Sequence, residues 1–238
     1  MKTLPLIPTL MVLFFVILMM NLGFWQLNRA QEKEEMMVLL ADSTISKVDS
    51  RVQLKQLPNY ANVQLSGHYI NDAPQLLLDN QIKDQIFGYD VFTPFFIKQI
   101  KTIIMVNRGW VAKEEFEADR LIINPQITML KGQLTYPPKV GMQLGEIQLD
   151  KDKKNQIITY YEEDKISLFY YEKLCKDLDC LFSSKILWLN KDQDHGFKRE
   201  WNPIVMPASK HIGYAVQWFS MTFVLIVIFI YWLIKSKE

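Results

Sequence analysis

TLPLIPTLMVLFFVILMMNLGFWQLN, residues 3–28, is an uncharged and almost wholly apolar run. It exceeds the roughly 20 residues that a helix needs to cross a ~30 Å hydrocarbon core. A second such run, IGYAVQWFSMTFVLIVIFIYWLI at 212–234, stands at the other end of the 238-residue chain. A chain that crosses twice leaves both tails on one side and its middle on the other. The expected architecture is a membrane protein: a two-helix transmembrane hairpin, residues 4–28 and 211–234, anchoring one water-soluble domain, residues 29–210. That geometry argues against a channel, a transporter or a free enzyme.

Nearly all charge lies between the two runs. Of 27 basic residues only Lys2, Lys235 and Lys237 fall outside the middle segment, and of 26 acidic residues only Glu238, so that segment carries a net −1. No basic field is present to capture nucleic acid, and no polybasic patch to capture anionic lipid. The first run lacks a small-residue cleavage pattern after Met19-Met20-Asn21-Leu22 and is longer than a signal-peptide core, so it reads as an uncleaved anchor. With no Arg-rich presequence ahead of it, a bacterial origin is expected. Lysines flank both sides of the spans, and the positive-inside rule leaves the orientation open.

Between the spans, Arg29 to Leu40 is free of Gly and Pro, and predicts that the first helix continues to about Leu40, stopping near Asp42-Ser43-Thr44. From Asn62 the texture changes to short β-branched and aromatic runs bounded by turn formers. Strands are expected at Val63–Tyr69, Gln75–Leu78, Tyr89–Phe96, Thr102–Val106, Ile127–Thr135, Gln156–Tyr160 and Lys185–Leu189. Pro94 hints at an edge or an ending. Helical insertions are expected at Lys113–Arg120 and Asp164–Leu174, and a solvated loop at Lys151-Asp152-Lys153-Lys154. The spacing suggests a mainly antiparallel β-sheet or small barrel with short helices. Asn107-Arg108-Gly109 reads as a tight turn, with Trp110 packed beneath; the alternative has Arg108 facing an acidic partner at the membrane.

No Gly-x-Ser-x-Gly, phosphate loop or dinucleotide fingerprint is present, and no enzyme is expected. Cys175 and Cys180 would close a small disulfide in an oxidising compartment; their spacing is a poor metal or redox motif. His211 is the distinctive histidine, standing at the mouth of the second span. Tyr214, Ala215 and Trp218 follow at offsets 3, 4 and 7, on one helical face. An imidazole, a small gap and two aromatic rings suit a flat, apolar, iron-bearing ligand. An aromatic belt accounts for the same residues, and periodicity alone favours it. On the first span, Gln26, Arg29 and Lys33 share a stripe, while Gly23 permits close helix approach. Arg29 and Lys33 suit propionates or lipid phosphates, or simple snorkelling.

Five blocks in order carry a resemblance to a known family: Leu22-Gly23-Phe24-Trp25-Gln26-Leu27-Asn28-Arg29 with Lys33; Leu78-Asp79-Asn80 with Gly88 and Thr93-Pro94; Val106-Asn107-Arg108-Gly109-Trp110-Val111; Tyr136-Pro137-Pro138 with Gly141; and His211-Ile212-Gly213-Tyr214-Ala215-Val216-Gln217-Trp218-Phe219. They resemble the surfeit locus protein 1 family, or Shy type. The resemblance implies a chaperone of respiratory-chain biogenesis, an assembly factor that presents haem a to subunit 1 of haem-copper cytochrome c oxidase, with haem a synthase as a further partner. It places the chain as a multi-pass protein of the cell inner membrane, its domain extracytoplasmic or periplasmic, and the two-helix hairpin in membrane lipid. It also implies that His211 is the haem iron ligand; Tyr214 and Trp218 on the same face are then expected to line the ring, with Gln26 and Arg29 at the opposing helix end and Arg29 near the propionates. The family's usual Asn pair before the histidine is replaced by Ser209-Lys210, and a tryptophan-bearing block expected after Asn155 is missing. The rival expectation is a haem-free scaffold that docks oxidase subunits; a third is a thiol or lipid enzyme using Cys175 and Cys180.

Overall fold

The computed structural model describes residues 5–117, 121–123, 128–138, 141, 145–176 and 179–236. Its elements in chain order are α1 (Leu6–Ala41), β1 (Ser46–Lys47), α2 (Arg51–Gln56), β2 (Asn62–Tyr69), β3 (Gln75–Lys83), β4 (Ile86–Ile97), β5 (Thr102–Ala112), β6 (Met129–Thr135), β7 (Asn155–Ile158), α3 (Glu163–Tyr170), β8 (Leu181–Leu189) and α4 (Ala208–Lys235). They form two units, Met1–Val38 with Asn202–Glu238, and Leu39–Trp201.

The first unit is the pair of apolar helices. Both are long and apolar enough to cross a membrane. At 36 residues α1 is about 54 Å long, far more than a bilayer core needs, so its charged second half continues beyond the apolar stretch as expected. It stops at Ala41, just before Asp42, whose carboxylate accepts from the Thr44 N–H at 2.9 Å. Leu4, the first residue of the expected span, and Lys237 lie outside the described residues.

The second unit is a small closed barrel. Strands follow one another in the ring β2-β6-β8-β5-β4, and β2 pairs with β4 to close it. β3 and β7 extend the sheet from β4, and β1 adds to β2. The β2–β4, β2–β6, β3–β4, β4–β5 and β6–β8 ladders are antiparallel; β1–β2, β3–β7 and β5–β8 are parallel. Alternating side chains fill the interior: Val63 and Leu65, Phe95 and Ile97, Ile104 and Val106, Leu130 and Leu134, Leu187 and Leu189. Gly132 occupies the inward position between Leu130 and Leu134. A Cβ there would stand 2.3 Å from the Trp188 carbonyl oxygen, so only glycine lets β6 approach β8 so closely. On the outer face, Leu76, Leu78, Phe92, Met105 and Ile186 are covered by Ile166, Phe169 and Tyr170 of α3. Tyr170 fixes that helix by donating its hydroxyl to the Pro74 carbonyl.

Pro94 marks neither an edge nor an ending of β4, contrary to expectation. It marks the place where the strand exchanges neighbours. β3 pairs with β4 as far as Phe92, and β2 takes over at Phe95. The Pro94 carbonyl accepts from the Ile70 N–H at 3.0 Å, so its ring nitrogen faces the same seam, where a missing donor breaks no ladder. β5 is longer than expected: all its residues from Thr102 to Ala112 are buried, and Asn107-Arg108-Gly109 is strand rather than turn. The register shifts there so that Val91 of β4 faces both Arg108 and Gly109. This is a β-bulge, and Gly109 takes φ +110°, the positive-φ freedom foreseen for it. Lys113–Arg120 forms only a 3₁₀ turn at Lys113–Glu115, with 118–120 outside the described residues, as is Ile127 ahead of β6. Asp164–Leu174 is helical as expected, its last turn being π-helical from Tyr171 to Cys175. Neither β1 nor α2 was expected. The buried Lys185 secures α2 by donating Nζ to the carbonyls of Lys55 and Leu57 at its C-terminal end.

Candidate functional site

Two candidate sites emerge, one in each unit. In the helix pair, Gly23 and Ala30 are the buried residues of α1; Ala208, His211, Ala215 and Thr222 are those of α4. A Cβ on Gly23 would fall 2.5 Å from the ring of Phe219, so the bare backbone there is what admits that ring. Phe24 meets the same ring edge-to-face at 5.4 Å. One turn further along α1, Gln26 Oε1 lies 2.8 Å from His211 Nδ1. An amide oxygen only accepts, so Nδ1 is the donor in this contact, and Nε2 is the ring nitrogen turned away from Gln26. That is the arrangement by which a neighbouring acceptor orients a metal-binding histidine and selects its ligating nitrogen.

The other expected site residues are placed differently. Ala215, one turn from His211, is 1% exposed, so the expected small residue is covered by its neighbours rather than bordering open space. Trp218 is half-buried, whereas Tyr214 is 44% exposed and stands to the side of the buried face. Arg29 is exposed as well. It pairs with Glu32 at 2.6 Å and its guanidinium lies 5.7 Å from the Trp25 ring. The stripe of Gln26, Arg29 and Lys33 is thus divided: Gln26 meets α4, and Arg29 meets its own helix. The donor chemistry fits an iron porphyrin at one point, a single imidazole of fixed tautomer beside a small residue. Among the described residues no cluster of three or more His, Cys, Asp or Glu is assembled that would hold a bare metal ion. Cys175 and Cys180 are joined as a disulfide and are buried, which removes the free thiols that a thiol enzyme would need.

The barrel unit carries a second constellation that sequence reasoning missed. His195 Nε2 and the Tyr69 hydroxyl share a hydrogen bond of 2.9 Å. Arg108 is 3% exposed rather than facing a membrane; it donates Nε to the His195 carbonyl at 3.0 Å and Nη1 to the Leu121 carbonyl at 2.9 Å, and lies 5.0 Å from the Phe197 ring centre. Burial and the two nearby guanidiniums of Arg108 and Arg199 pull the His195 pKa down to about 4. Burial pushes the Tyr69 phenol up. Both groups therefore stay neutral at pH 7. Arg108 and His195 edge an open cleft of about 760 Å³ also lined by Ile123, Met129, Asp194 and Phe197. Tyr69 and His195 are 126 positions apart, and no local pattern could have joined them.

The model of the SURF1 family matches residues 13–223. A "SURF1-like protein" of Rickettsia bellii is 26% identical over 232 residues, covering 92% of this chain and 88% of that protein. "Surfeit locus protein 1" of Xenopus tropicalis is 24% identical over 224 residues, covering 84% of this chain and 67% of that protein. The "Surfeit locus protein 1" of Gallus gallus is 27% identical over 131 residues, 48% of this chain and 40% of that protein.

Proposed function

The chain belongs to the SURF1 family, and from that premise we propose that it is a haem a chaperone, an assembly factor for haem-copper cytochrome c oxidase. The observation that carries the haem reading is the Gln26–His211 pair, which turns one imidazole nitrogen away from Gln26 on a buried helix face. His211 would hold the haem iron, with the small side chain of Ala215 and the aromatic Trp218 on the same helix face. Haem, when bound, would supply an iron for which an imidazole nitrogen is a suitable ligand. Gln26 acts through His211 by holding its tautomer and ring orientation; it is a positioning residue rather than a contact of the ring. Subunit 1 of the oxidase receives the haem and haem a synthase supplies it. The protein works in the inner membrane with the barrel on the extracytoplasmic side, where the Cys175–Cys180 disulfide is chemically at home.

The test is a reduced-minus-oxidised absorption spectrum of the full chain purified in detergent after coexpression with a haem a synthesis pathway. Wild type is expected to carry haem a and His211→Ala to lose it. Gln26→Leu keeps the volume but removes the acceptor, and should weaken retention about 10–100-fold, the usual loss on removing an orienting partner. Colourless wild type, with pathway haem present in the membranes, overturns the proposal. It favours the second reading, a haem-free scaffold that docks oxidase subunits, to which the exposed Tyr214 and the Glu32-paired Arg29 already lean.

A further inference from the structure

The β3–β4 hairpin ends in an unusual tip. Lys83 pairs with Ile86, so Asp84 and Gln85 form a two-residue loop, with φ of 50° and 66°. Positive φ at both positions is the type I′ geometry, which matches strand twist and gives a stiff hairpin. Ile82 faces Phe87 across the ladder, and Ile86 faces the opposite way beside Lys83. Ile82, Ile86 and Phe87 are 58, 49 and 55% exposed. Apolar side chains therefore cover both faces of the tip. A loop tip facing only water is ordinarily built from polar residues.

The root of this hairpin is firmly built. Trp110 lies over Gly88, where a Cβ would come within 2.3 Å of its Nε1, and donates that Nε1–H to the Gln81 carbonyl at 2.9 Å. The tip is also tied to the last segment of the barrel unit. Lys198 Nζ binds the Asp84 carboxylate at 2.6 Å, and Lys83 Nζ lies 5.9 Å from the ring centre of Trp201. Trp201 is the last residue of that unit, and α4 starts at Ala208. The intervening Asn202–Pro207 spans at most about 25 Å when fully extended. The chain itself thus keeps the tip within reach of the bilayer that α4 enters.

We infer that Ile82, Ile86 and Phe87 insert into the headgroup–acyl boundary of that same bilayer, as a third membrane contact that orients the barrel. Isoleucine and phenylalanine beside tryptophan and a long lysine is the side-chain mixture that this boundary favours. Lys83 and Lys198 stand with Asp84 and Glu200, so the tip has no excess charge and needs no anionic lipid. The inference does not depend on haem.

The test uses the full chain, one copy per nanodisc of zwitterionic lipid. A nitroxide is placed on Gln85→Cys or, in a separate sample, on Lys153→Cys in the exposed loop before β7; the native cysteines stay protected as a disulfide. Power-saturation measurements compare oxygen, which concentrates in lipid, with a water-soluble nickel chelate. The label at 85 should be more accessible to oxygen and the label at 153 to nickel. Replacing Ile82, Ile86 and Phe87 by Ser should return the label at 85 to water. A wild-type label at 85 that behaves like the one at 153 overturns the inference and leaves the patch to a protein partner. A label that stays in lipid in the triple-Ser variant overturns it as well, since those side chains would then not be the cause.

Discussion

Gly109→Ala is the sharpest perturbation of the barrel. Gly109 sits at φ +110°, which costs an L-residue about 1–3 kcal/mol. A new Cβ would also stand 2.7 Å from the Lys198 carbonyl oxygen, a backbone atom that cannot rotate away. The neighbouring strand segment must therefore shift. Three hydrogen bonds hold it: Phe197 N–H to the Arg108 carbonyl (2.7 Å), Trp110 N–H to the Lys198 carbonyl (2.9 Å) and Lys198 N–H to the Trp110 carbonyl (3.0 Å). Each contributes about 0.5–1.5 kcal/mol net, and water would replace part of that at the segment's outer side. Strain and weakened pairing together come to about 3–5 kcal/mol. For a domain of this size that lowers Tm by about 6–20 °C. Near-ultraviolet circular dichroism of the full chain in detergent would follow the melting, since Trp110 and Trp201 sit along the affected edge. Gly141→Ala is the control: a Cβ there meets nothing within 4 Å, and Tm should stay unchanged. A Gly109→Ala shift below about 2 °C would mean that the bulge does not hold the segment as argued.

Four further outcomes are expected. Arg108→Met should cost about 2–4 kcal/mol in denaturant unfolding by leaving the Leu121 and His195 carbonyls without their charged donor, and Arg108→Lys should not rescue it, lacking the fork. Stability should fall with pH between about 6.5 and 4, because the unfolded chain binds a proton at His195 that the folded chain refuses until about 4; His195→Gln should flatten that part of a pH series of melting temperatures. Reducing the Cys175–Cys180 disulfide closes out only a short loop, so the loss should be about 2 kcal/mol, seen as faster proteolysis around Tyr171–Cys175 with the barrel intact. Gly67→Val should prevent barrel closure, since a Cβ there would stand 1.9 Å from the Phe96 carbonyl oxygen where β2 meets β4; the expected readout is loss of soluble folded chain on detergent gel filtration.

Length and charge made the membrane helices legible, and alternation made most strands so, because both are local signals. The barrel's closure was not legible. It depends on β4 serving two neighbours, and the one visible sign, Pro94, reads equally well as a strand end. Short α2 owes its place to the tertiary partner Lys185, 128–130 positions away, and carries no pattern of its own. Asn107-Arg108-Gly109 is ambiguous in sequence for a related reason: a bulge and a turn need the same residues, and only the partner strand distinguishes them. At the helix pair, periodicity placed Gln26 and Arg29 on one stripe. The Gln26–His211 contact separates them, because a pairing between helices selects a narrower line than a helical face.

The blocks that carry the family resemblance fall into distinct structural places. Two supply the helix pair: Gly23 and Gln26 on α1, His211 and Ala215 on α4. Two others meet at the root of the β3–β4 hairpin, where Gly88 lies beneath Trp110 and Gly109 makes the bulge beside Lys198. Gly88, Gly109 and Trp110 belong to the barrel unit and His211 to the helix pair, so the two proposed roles can be tested separately. Trp110→Phe keeps the ring but removes its donor to Gln81. If the hairpin serves to seat the barrel on lipid, that variant should retain haem as wild type does, yet support less oxidase assembly in cells. Gln26→Leu should show the reverse order of loss, with haem retention falling first. Equal loss of both properties in both variants would show that the two sites act as one unit, and would refute this division of labour.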